Sequence, residues 1–126
     1  MTSIKKHEKA VRMGKSIIFY SILVGACAQS PASINPTPTT SIWKTAPCRD
    51  AQKEYEKLSK SIPRLVAHQN KAVTADAAGM FLIGVPVASA SGKDVTDEIA
   101  ITKGNLLNLR DRLDACGIPA TPVNWK

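Results

Sequence analysis

Histidine is almost missing from this 126-residue chain, and His7 and His68 stand far apart with no cysteine or carboxylate at ligand spacing. That excludes the usual zinc patterns, and no phosphate loop or nucleophile elbow takes their place. Asp94, Asp97 and Glu98 lack the glycine and ligand spacing of a calcium loop, and Ser89 and Ser91 have no base partner. The expectation is a non-enzymatic protein without a metal or cofactor. Aromatic residues are scarce too: Phe19, Tyr20, Trp43, Tyr55, Phe81 and Trp125 are all there are. So few large side chains make a thick core hard to build in a small domain and favour a two-layer helical arrangement.

Positive charge is less abundant than the net +7 suggests. Lys5, Lys6, Lys9, Arg12 and Lys15 lie in the first 26 residues with Glu8, leaving residues 27–126 with 12 basic and 9 acidic side chains, a net +3. A nucleic-acid binder keeps its positive charge in a folded patch; here more than half precedes residue 27, so no nucleic-acid partner is expected.

The same basic stretch is followed by an apolar one, Ile17 to Val24, and then by Gly25 and Ala26 before Cys27. Basic, apolar and small segments in that order mark an export signal, and the apolar part is shorter than the ~20 residues of a spanning helix. Val24-Gly25-Ala26-Cys27 resembles the lipobox of bacterial lipoproteins, with Val24 in place of the commoner leucine. The resemblance implies a signal peptide over residues 1–26, a diacylglyceryl group on Cys27, cleavage before it and acylation of the new amine. Two or three acyl chains give stable anchoring where one is marginal. Ala28 rather than aspartate after the cysteine is similar to the enterobacterial outer-membrane sorting signal. The implied address is therefore the periplasmic face of a bacterial outer membrane, with the inner membrane's outer face or the cell surface left open.

Residues 27–47 hold four prolines and many hydroxylated residues. This composition predicts an extended, semi-rigid linker that can set the domain up to roughly 60 Å from the lipid. Trp43 is its one large residue and a candidate to dock onto the domain.

From Cys48 the pattern becomes helical. Cys48, Ala51, Tyr55, Leu58, Ile62, Leu65, Gln69 and Ala72 alternate spacings of three and four, as do Val95, Ile99, Thr102, Leu106, Leu109, Leu113 and Cys116. Both are heptad seams, and each cysteine is in phase with its own. One antiparallel register, with partner numbers summing to 164, pairs each seam residue from Cys48 to Gln69 with one of the second seam, from Cys48 with Cys116 to Gln69 with Val95. The fold class predicted is all-α: an antiparallel two-helix hairpin over residues 48–117, closed by a Cys48–Cys116 disulfide, with 118–126 as a tail. With Cys27 given to lipid, an even pair of cysteines in an oxidising compartment agrees. Thr45 and Pro47 predict a first helix starting near residue 46, and Asp94 with Asp97 and Glu98 a second starting at 94–95. Gly117 and Pro119 predict a stop after Cys116. Pro63 should kink or break the first helix at about 3 kcal/mol, and Gly104 should weaken the second by about 1 kcal/mol.

Residues 77–92 contain no charge and lie where the hairpin must reverse. Three readings of this tip stand open: a small cluster of its own or a self-association surface, a membrane-dipping loop, or an exposed apolar patch for another envelope protein. Asp76 counts against deep insertion.

Gly84-Val85-Pro86, the acidic-led stretch Asp94 to Ile99, Lys103-Gly104 and Cys116 together resemble small uncharacterised bacterial envelope lipoproteins across residues 48–117. The resemblance implies fold and location, and no activity. The expected function is a non-enzymatic, membrane-anchored component presenting a helical hairpin to a membrane or protein partner. The alternative is a mobile-element accessory lipoprotein of conjugation, secretion or lysis. A periplasmic ligand-binding or inhibitor domain would need a pocket that one seam cannot enclose.

Overall fold

The computed structural model describes residues 27–39 and 42–126; the expected signal peptide, 1–26, lies outside the described residues. Two short 3-10 turns, Pro31–Ser33 and Ile42–Thr45, precede three helices: α1 (Cys48–Ile83), α2 (Val87–Ala90) and α3 (Thr96–Ala115). The described residues contain no strand. α1 and α3 pack antiparallel as the predicted hairpin, and α2 sits in the return between them.

The 164 register is the one observed. Cys48 and Cys116 are disulfide-bonded across Cα atoms 6.0 Å apart. Ala51, Tyr55, Ile62 and Val66 of α1 form one buried cluster with Leu106, Leu109 and Leu113 of α3, and Leu65 and Ile99 belong to a second. At the far end of the paired region Gln69 bonds the backbone N–H of Val95 at 2.8 Å. Helix starts shift by one or two residues from expectation, to Cys48 after Pro47 and to Thr96 after Val95, neither with a side-chain cap from its own N-cap residue. Asp94 instead accepts the Thr96 hydroxyl, and the Val95 amide goes to Gln69.

Pro63 does not break α1, which continues for 20 residues beyond it. Its ring is on the exposed side, while Ile62 and Leu65 flanking it are buried against α3 in a single register. Packing on both sides of the proline offsets the roughly 3 kcal/mol that its missing N–H and its clash with the preceding turn cost a helix interior.

The larger departure from expectation is in residues 28–39. They do not stand off as a spacer; they run back along α3 as a strap. Ile34 is buried in the second cluster, Thr37 N–H donates to the Ala100 carbonyl at 2.9 Å, and Asn108 donates to the Thr39 hydroxyl at 2.8 Å. Lys103 donates to the carbonyls of Pro31 at 2.7 Å and Ile34 at 2.6 Å. Burial pulls the Lys103 ammonium below the usual lysine range. Apart from the turn at Pro31–Ser33, this Pro-rich backbone runs extended without bonds to itself, which leaves carbonyls free for a neighbour's donors. The strap also explains Gly104: a Cβ there would collide with the Thr37 carbonyl oxygen. Trp43 docks onto the first cluster, as do Ile118, Ala120, Val123 and Trp125 of the tail. Tyr55 fixes the tail by donating to the Thr121 carbonyl at 2.6 Å.

Candidate functional site

The 3–4 seam of α1 does not stop at Ala72. Its next positions are Asp76 and Gly79, both buried, where α3 has already ended and α2 takes over the packing. A Cβ on Gly79 would collide with Val85 and Val87, so the return loop lies directly on the helix at this point.

Asp76 is 1% exposed, which requires its charge to be matched. One carboxylate oxygen accepts the backbone N–H of Ala88 at 2.6 Å and of Ser89 at 3.0 Å. The other accepts the Ser89 hydroxyl at 2.5 Å and the backbone N–H of Ala28 at 2.6 Å. Burial alone would raise its pKa; the Ser89 hydroxyl and the amides of Ala28, Ser89 and Ala88 outweigh it and hold the carboxyl below its ordinary range.

Gln69, two turns earlier on the same face and fully buried, holds the next residue of the strap. Its Nε2 donates to the Gln29 carbonyl at 2.9 Å and to the Thr96 hydroxyl at 3.1 Å. The two side chains thus clamp residues 28 and 29 to the hairpin while also fixing α2 and the start of α3.

This arrangement locates the three cysteines singled out in the sequence. Cys27 is exposed, outside the disulfide and one peptide bond from the clamp. Cys48 and Cys116 are at the opposite end of the hairpin, 28 residues of helix away from Asp76, or about 42 Å. Cys27 is therefore at the end that carries the uncharged tip. There Phe81 is 89% exposed, Leu82 75% and Ile83 69%, with Met80, Val85 and Val87 also exposed. No helix among the described residues is long and apolar enough to cross a membrane.

His68 meets the backbone carbonyl of Lys93 at 3.1 Å. Strap and tail, with Tyr55 and Leu106 of the seams, line an open pocket of about 340 Å³ that also takes in Pro36, Pro122 and Trp125. Its walls are mostly apolar, and its Lys103 is committed to the strap carbonyls and lies 5.1 Å from the Trp125 ring centre.

The clamp was missed from sequence, where Gln69 was only a seam member and Asp76 only a charge. The available signal was phase: a carboxylate at a seam position beyond the end of the partner helix must be buried against something other than that helix. No protein-family model, curated protein or solved structure matches the chain.

Proposed function

We propose that the protein is a non-enzymatic envelope lipoprotein, anchored through acyl chains on Cys27, that holds a disulfide-closed helical hairpin close against the membrane surface. The basic-apolar-small leader and Val24-Gly25-Ala26-Cys27 carry the lipid assignment. The observation that carries the rest is the bond from Ala28 N–H to Asp76, which ties the residue after the anchor to the folded domain. That peptide N–H survives cleavage before Cys27, so the clamp belongs to the mature chain. With the strap docked, the reach of a free linker is lost. The hairpin's tip end is then near the lipid and its disulfide end points away.

Two readouts test this. Globomycin should cause an unprocessed precursor to accumulate, and mass spectrometry of the N-terminal peptide should show diacylglyceryl-modified Cys27. Normal processing under globomycin together with an unmodified Cys27 would sink the reading.

A further inference from the structure

We propose that the tip is a second membrane anchor, seated among the acyl chains of the leaflet that holds the lipid on Cys27; this rests on the lipoprotein reading. Three observations on the structure point the same way.

The first is position. Asp76 fixes Ala28, and α1 continues for seven residues from Asp76 to Ile83, about 10 Å further along its axis. Helices that lie in an interface bury their apolar side roughly 5–10 Å into the boundary between headgroups and chains. With Cys27 at headgroup level, Phe81, Leu82 and Ile83 fall at that depth.

The second is the surface itself. Six large apolar side chains, from Met80 to Val87, are uncovered together. Acyl chains on Cys27 would leave from the same end of the hairpin, which brings the bilayer's apolar phase to the tip.

The third is charge. Residues 77–92 carry none, and Asp76 is buried with its hydrogen bonds made. The first exposed charges behind the tip are Lys71 on α1 and Lys93 after α2, which border one cleft with His68. The charge-free cap thus ends at two lysines, with Asp94 following Lys93, so no exposed charge has to enter the acyl chains with the tip.

The test uses acylated protein extracted from membranes and placed in phosphatidylethanolamine–phosphatidylglycerol vesicles. Phe81→Trp, and Leu82→Trp as a second variant, put a tryptophan on an exposed position where the fold is not disturbed. Lipids brominated on their acyl chains should quench the added emission by roughly half or more, while Trp43 and Trp125 of the parent protein stay unquenched. If Cys27 is acylated and the protein floats with the vesicles but neither tip tryptophan is quenched, the inference is wrong and the lipoprotein reading stands. If Cys27 carries no acyl chains, both fail.

Discussion

Asp76 and Ala28 are 48 residues apart in sequence and meet in a 2.6 Å hydrogen bond. The same carboxylate caps α2, so the start of the strap and the return of the hairpin share one buried anion. This relationship turns an apparent linker into part of the fold, and it sets the orientation of everything beyond Cys27.

Removing that anion should loosen strap and tip together. Asp76→Ala leaves three backbone amides unpaired; bonds to a charged group contribute about 1.5–3 kcal/mol net each, and loss of the carboxylate's own desolvation cost offsets part of that. The expected loss is about 2–4 kcal/mol in denaturant unfolding. Amide exchange should accelerate at Ala28, Ala88 and Ser89 while the Leu109 region stays protected.

The clamp also gives a pH dependence. The Asp76 carboxyl is held below its ordinary value in the folded chain and returns to about 3.9 when unfolded. Its contribution is therefore complete above the unfolded value and is lost as pH falls through the folded one. Urea midpoints should be flat near neutrality and decline below about pH 4, and the decline should be shallower in Asp76→Asn.

Gly104→Ala separates a docked strap from a free one by sign. Helix propensity alone favours the alanine by about 1 kcal/mol. Against a docked strap the new methyl meets the Thr37 carbonyl, so the variant should be less stable, with Thr37 losing its amide protection. A more stable Gly104→Ala protein would mean that the strap does not lie there.

Pro63→Ala should go the other way. The proline is exposed and α1 is continuous through it, so the substitution restores a helix hydrogen bond and removes a steric clash. A gain of about 1–3 kcal/mol is expected from thermal or denaturant unfolding.

Opening the disulfide should cost more than any of the surface changes. It closes a loop of 68 residues, for which chain entropy gives about 4 kcal/mol. Cys48→Ser with Cys116→Ser should lower the melting temperature substantially and separate the base of the hairpin first.

The hairpin and its register were legible because each seam repeats a spacing that is hard to mistake, and because Cys48 and Cys116 fall in phase with it. The strap was not legible. Proline-rich chain has the same composition whether it is solvated or pinned, and what pins it here is partners from far away: the donors Lys103, Asn108 and Gln69, and the acceptors Asp76 and the Ala100 carbonyl. The tail was missed for a similar reason, since Val123 and Trp125 pack without periodicity. Gly104 and Pro63 show the limit of local propensity, one conserving space for the strap and the other held in line by Ile62 and Leu65.

The most direct test is amide exchange at Ala28 and Thr37 in the protein as isolated from its host cells. A docked strap predicts protection of both, comparable to that of the Ala88 and Ser89 amides on Asp76. Exchange of both at the rate of unstructured chain would contradict it, and would return residues 28–39 to the role of a free tether.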